Sequence, residues 1–159
     1  MSGTENSLPA PAPDCTVVSE RFLPFAPATV FAAFGDPAKL ACWWGPAGFT
    51  NTIQEFNLRP GGAWRITMHG PGGTDYPNES EFLEVTPPSR LVFVHLGPMH
   101  RYWMTMTFAP KGAGTHLTWH MQFETAEEVA RIGGFIAKAN QENFDRLSAV
   151  LSKIDQPVR

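Results

Sequence analysis

The chain has 159 residues, 43% hydrophobic and 17% charged, with 12 Lys and Arg against 15 Asp and Glu for a net charge of −3. That length and apolar content suit one globular domain with a sizeable core, and the acidic balance without any basic cluster argues against a nucleic-acid surface. No apolar run approaches the ~18 residues of a membrane helix. No signal-peptide pattern appears, and Cys15 and Cys42 are too few for a disulfide framework, so a cytoplasmic protein with reduced thiols is expected.

In chain order, residues 1–14 carry a Pro-Ala-Pro-Ala-Pro run from Pro9 to Pro13 with almost nothing to bury, and read as a mobile tail ahead of a single domain over 15–155. Cys15 to Phe25 is rich in Val, Phe and Leu and predicts a first strand stopped by Pro24 and Pro27. Pro27 suits a helix first turn, Val30, Phe31 and Phe34 share one helical face, and Asp36 can cap a second short helix over Pro37. The middle is strand after strand. Asn51 to Leu58 and Ala63 to His69 flank an Arg59-Pro60-Gly61-Gly62 turn, with Trp64, Ile66 and Met68 on one face and Arg65, Thr67 and His69 on the other. After Gly70-Pro71-Gly72-Gly73 come Asn78 to Thr86 and then Leu91 to Leu96, whose unbroken apolar character predicts a strand covered on both faces. Tyr102, Met104, Met106 and Phe108, then Leu117, Trp119, Met121 and Phe123, alternate with polar neighbours across the Lys111-to-Gly114 turn and predict a hairpin.

The chain closes on helical spacing. Thr125 and Glu128 have the form of a capping box, and Val129, Ile132, Ile136, Ala139, Phe144, Leu147, Leu151 and Ile154 recur three and four apart. Gly133-Gly134, at about 1 kcal/mol per Gly relative to Ala, predicts a break, leaving a short lead-in turn and one long helix from about Gly134 to Lys153. An antiparallel sheet with one apolar face and one long amphipathic helix is satisfied when the sheet curls around the helix. The fold class expected is α+β, in the order β-α-α-β-β-β-β-β-β-α.

The stretch that organises the rest is Asp36 to Thr50, with Trp43-Trp44-Gly45-Pro46 at its centre. Pro46 fixes its own φ and biases Gly45 away from helix, so two large aromatics sit against a chain break. The corner reads as packed core, as the rim of a ligand cavity, or as both. Phe31-Ala32-Ala33-Phe34-Gly35-Asp36-Pro37, Trp43-Trp44-Gly45-Pro46, Gly48-Phe49-Thr50, Arg59-Pro60-Gly61-Gly62-Ala63-Trp64-Arg65, Pro87-Pro88-Ser89-Arg90-Leu91-Val92-Phe93 and Gly114-Thr115-His116-Leu117-Thr118 together resemble the activator of heat-shock protein 90 ATPase homologue family, within the START-like, polyketide-cyclase-like superfamily. The resemblance runs from about Cys15 to Ile154 and implies the helix-grip fold. For function it implies a superfamily of carriers, cyclases and hydrolases.

Catalytic signatures are sparse. His116 and His120 lie four apart on a strand, roughly 13 Å at about 3.3 Å per residue, and cannot share one ion. His95 and His100 straddle a Gly97-Pro98 turn without a third ligand, so no metal site is expected. No nucleophile elbow, phosphate loop or dinucleotide fingerprint occurs, and no cofactor is expected. Glu79, Glu81 and Glu84 read first as solvated edge charge and second as a candidate general base. The stronger signal is the apolar face, where methionines supply adaptable, polarizable surface. The candidate ligand-binding residues are Trp43, Trp44, Phe49, Trp64, Met68, Tyr102, Met104, Met106, Trp119 and Met121, in a cavity between sheet and helix beneath the two short helices. The Tyr102 hydroxyl and His95 or His120 are the polar groups available to orient a ligand. The function expected is binding of a small hydrophobic or aromatic molecule. The alternatives are a cyclase- or hydrolase-type enzyme using a pocket acid or histidine, and a co-chaperone-like regulator of heat-shock protein 90 implied by the family name. A homodimer and a chaperone partner stay open; neither nucleic acid nor membrane is expected as a partner.

Overall fold

The computed structural model describes residues 6–154. After a single 3-10 turn at Pro13–Cys15 come β1 (Thr16–Leu23), α1 (Pro27–Gly35), α2 (Pro37–Trp43), β2 (Thr50–Phe56), β3 (Ala63–His69), β4 (Asp75–Thr86), β5 (Arg90–Gly97), β6 (Tyr102–Lys111), β7 (Gly114–Phe123) and α3 (Ala126–Ile154). All seven strands join one antiparallel sheet in the order β1-β7-β6-β5-β4-β3-β2, so β1 and β2, adjacent in sequence across the two short helices, form its opposite edges. The sheet wraps α3, whose Phe144, Leu147 and Leu151 are buried in its concavity. This is the α+β helix-grip arrangement expected from the alternating strands and the terminal amphipathic helix.

Local signals work as anticipated at the caps. Asp36 Oδ1 accepts from Ala38 N at 3.0 Å at the start of α2, and Thr125 Oγ1 accepts from Glu128 N at 3.1 Å at the start of α3. The Glu128 carboxylate does not reach back to complete a capping box; it pairs with His100 Nδ1 at 2.5 Å.

Two expectations are corrected. The break at Gly133-Gly134 is absent, and α3 runs unbroken from Ala126 to Ile154. The reason is a close approach: a Cβ on Gly133 would lie 3.3 Å from Val129 Cγ1 and 3.8 Å from Val17 Cγ2, so the bare backbone lets the helix settle against β1 and packing offsets the propensity cost. The mobile tail expected over residues 1–14 lies outside the described residues only for 1–5. From Asn6 the segment crosses the convex face along a single register row, Gln122↔Trp103↔Val94↔Glu81. Gln122 Nε2 donates to Ala10 O at 2.8 Å and Trp103 Nε1 to Asn6 O at 3.1 Å. Asn6 Nδ2 donates to Glu81 Oε1 at 2.7 Å, and Arg101 Nη2 donates to Asn6 Oδ1. This strap explains why Val94 and Trp103 are buried on the outer side of β5 and β6, the double coverage that the apolar run of β5 predicts.

Candidate functional site

The corner at Trp43 to Phe49 is built by α3. Asn143 Nδ2 donates to Trp43 O at 2.9 Å while its Oδ1 accepts from Gly45 N at 3.2 Å. Arg146 Nη1 lies 3.0 Å from each of the Trp44, Gly45 and Pro46 carbonyls, and Arg146 Nη2 donates to Phe49 O at 2.7 Å and Cys42 O at 3.3 Å. One guanidinium thus satisfies carbonyls that the end of α2 and the Gly-Pro break leave without helical partners. Gly45 sits at φ +98°, a left-handed conformation that side chains rarely adopt, so the turn requires glycine conformationally.

Below the corner, α1 closes one end of the grip. Phe34 makes ring contacts with Trp43, Trp44, Trp64, Phe82 and Phe93 at centroid separations of 5.4 to 6.5 Å, and Phe31 meets Phe108 at 5.1 Å. That end is solid, and here the expected lining is corrected. Trp43 and Met106, each 1% exposed, belong to this core, and Trp43 Nε1 donates to Ala33 O at 2.9 Å. The space expected beneath the short helices is filled by Phe31 and Phe34 of α1.

The cavity lies farther along, between the first half of α3 and the concave faces of β3 to β7, with a volume of about 430 Å³. Trp44, Phe49, Trp64, Met68, Tyr102, Met104, Trp119 and Met121 all line it, joined by Phe93, Phe123, Ile136 and Ala139. Its rim carries unusually exposed apolar groups: Met99 is 83% and Phe135 72% exposed. Met99 is held at φ +72°, a conformation that costs a non-glycine residue about 1 kcal/mol.

Polar groups enter the cavity from one place on the sheet. Ser80, His95 and Tyr102 are register partners on β4, β5 and β6, flanked by Trp64 on β3 and Phe123 on β7, and all five line the cavity. His95 is fixed at both ring nitrogens. Both face acceptor oxygens, Nδ1 at 2.7 Å from His100 O and Nε2 at 2.6 Å from Asn78 Oδ1, of which a neutral ring donates to one, and the ring stacks on Tyr102 at 4.7 Å. Burial holds its pKa below the ordinary imidazole value, against the pull of the His100 carbonyl and with the neighbouring His100 ring adding to the lowering. Burial also pushes the Tyr102 phenol well above its usual range, so it remains a neutral O–H donor. On the helix side Asn140, 7% exposed, donates to Ser19 Oγ at 3.0 Å and to Met121 Sδ at 3.4 Å. Trp64 Nε1 is buried with no hydrogen-bond partner among the described residues.

The other candidates fall elsewhere. His120 sits on the convex side of β7, outside the cavity lining. Glu79 and Glu81 alternate with the inward Asn78 and Ser80 and so face out, Glu81 toward Asn6, while Glu84 pairs with Arg90 Nε at 3.0 Å, which lowers the Glu84 pKa. Among the described residues no Asp, Glu, Lys or Arg lines the cavity, no cluster of three His, Cys, Asp or Glu could hold a metal ion, and no helix is long and apolar enough to cross a membrane.

No curated protein matches the chain. Among solved structures, it is similar to a Nitrosomonas europaea protein at 20% identity and TM-score 0.82, covering 92% of this chain and 100% of that one. The AHSA1 protein of Silicibacter pomeroyi is 21% identical with TM-score 0.73, covering 88% and 99%. A Chromobacterium violaceum protein is 25% identical with TM-score 0.73, covering 86% and 96%. At such identities these likenesses speak to fold. The family model for Activator of Hsp90 ATPase homolog 1-like proteins matches residues 24–152, from the end of β1 through nearly all of α3, and the chain belongs to that family.

Proposed function

We propose that this protein binds one small apolar or aromatic molecule in the cavity between α3 and the sheet, as a cytoplasmic binding module rather than an enzyme. The observation that carries the reading is the cavity itself: about 430 Å³, walled by aromatic rings and methionines. A pocket of that size and character buries most of a small ligand's surface, and at about 25 cal/mol per Å² of apolar area the burial offsets the entropy of association. Proton-transfer chemistry finds less support, because Glu79, Glu81 and Glu84 face away, the ring nitrogens of His95 are occupied by protein oxygens, and the Glu128 carboxylate is engaged with His100 Nδ1 rather than open to the cavity. Native mass spectrometry of the purified protein, followed by extraction and identification of any retained molecule, tests the proposal. A ligand recovered unchanged after incubation supports binding; conversion that disappears on replacing His95 overturns it.

A further inference from the structure

The cavity wall is mostly apolar; Asn78, His100, Asn140 and Asn143 also reach it, each with its side chain already hydrogen-bonded within the protein, and the remaining polar groups lie along one line. The row Ser80–His95–Tyr102 crosses three adjacent strands at a single register level, so its side chains emerge side by side from the concave face. Within the row the groups are not equivalent. His95 has a protein oxygen against each ring nitrogen and its ring stacked on Tyr102, which leaves neither nitrogen open to a ligand, so it serves as a fixed spacer. The hydroxyls on either side of it are not spent: neither Ser80 Oγ nor Tyr102 Oη has a hydrogen-bond partner among the described residues, and neither is sealed from solvent as Trp64 Nε1 is.

Once a ligand displaces water from this site, two hydroxyls without protein partners are costly unless the ligand pairs with them, since an unpaired polar group in an apolar surround loses about 1–3 kcal/mol. The charge of the pairing group is constrained as well. Among the described residues no Lys or Arg lines the cavity, and His100 is already matched by Glu128, so a carboxylate or phosphate would find no free counter-charge there. We infer that the ligand of this cavity is an uncharged, largely aromatic molecule bearing an oxygen acceptor, a carbonyl above all, that the Tyr102 hydroxyl donates to that oxygen, and that the Ser80 hydroxyl, two strands away beyond His95, adds a second polar contact. The inference rests on the binding reading and deepens it: Tyr102 and Ser80 select the ligand's polar group, and the aromatic walls supply the bulk of the affinity.

A matched trio of probes tests it: naphthalene, 2-acetylnaphthalene and 2-naphthoate, titrated calorimetrically into the full chain. The ketone is expected to bind about five- to tenfold more tightly than the hydrocarbon, the worth of one or two neutral hydrogen bonds, and the carboxylate most weakly. In Tyr102→Phe, which keeps the ring and its stacking, the ketone-to-hydrocarbon ratio should fall toward one, and Ser80→Ala should lower it in part. Because the readout is a ratio within each variant, a general loosening of the fold cancels. A wild-type ratio near one, a ratio retained in both variants, or tightest binding by the carboxylate overturns the inference while leaving the cavity reading standing. Failure of all three probes to bind removes both.

Discussion

Arg146, on the last turns of α3, donates from Nη2 to the Phe49 carbonyl at 2.7 Å, and its Nη1 lies 3.0 Å from the carbonyls of Trp44, Gly45 and Pro46. The helix gripped by the sheet therefore also holds the corner that forms one wall of the cavity, and stability and site share a residue. Replacing Arg146 with Met strands several partly buried carbonyls and is expected to cost about 2–3 kcal/mol in chemical denaturation. Arg146→Lys should recover less than half of that, because an ammonium cannot reproduce the planar fork. A loss under 0.5 kcal/mol, roughly the scale of an ordinary surface change, would contradict the role assigned to it.

The convex strap yields a second prediction. Truncation of residues 1–12 removes the acceptors of Gln122 and Trp103 and uncovers the outer faces of β5 and β6. A loss of about 2 kcal/mol is expected, from hydrogen bonds near 1 kcal/mol each less the entropy of ordering the segment. Thermal melts of the full and truncated chains decide it, and identical midpoints would show that the strap contributes nothing.

Most of the fold was legible because period-two alternation over Trp64 to Met68, Tyr102 to Phe108 and Leu117 to Phe123 is a direct statement of which face is buried. The Trp-Trp-Gly-Pro corner was legible because Pro46 forbids helix there. The helix contribution to the site was missed, although it left a trace: Asn140 and Asn143 occupy positions where the apolar stripe between Ile136 and Leu147 calls for hydrophobes. Met106 and Trp43 were misplaced because a strand pattern names a face and not how far along it the core ends; α1, through Phe31 and Phe34, sets that limit. The strap had no signature because it docks partly through the backbone carbonyls of Asn6 and Ala10, which every sequence possesses.

The boundary between core and cavity is testable by overpacking. Met106→Trp inserts volume into the filled end and should destabilise by about 1–3 kcal/mol or prevent folding. Ala139→Phe, on the cavity-facing side of α3, should fold with near wild-type circular dichroism, since its ring enters open space. The reverse ranking of the two variants by denaturant midpoint would place the void at the wrong end.

His95 gives the pH dependence. Its pKa is lowered in the folded protein, so as the pH falls below the ordinary value of 6.5 the unfolded chain takes up a proton that the folded chain resists. Its contribution is therefore fully present above about pH 6.5 and is lost as the pH drops toward the folded-state value. Melting temperatures of wild type and His95→Gln between pH 8 and 5 should converge on the acid side, below the ordinary histidine value. Curves that diverge on acidification would mean that His95 is stabilised as the cation.

Calorimetric titration with 2-acetylnaphthalene, wild type beside Ala139→Phe, addresses the cavity itself. One molecule per chain is expected to bind wild type, with the negative heat-capacity change of apolar burial, and binding should vanish in the filled variant. No heat of binding in wild type, or equal binding by a folded Ala139→Phe protein, would contradict ligand binding between α3 and the sheet.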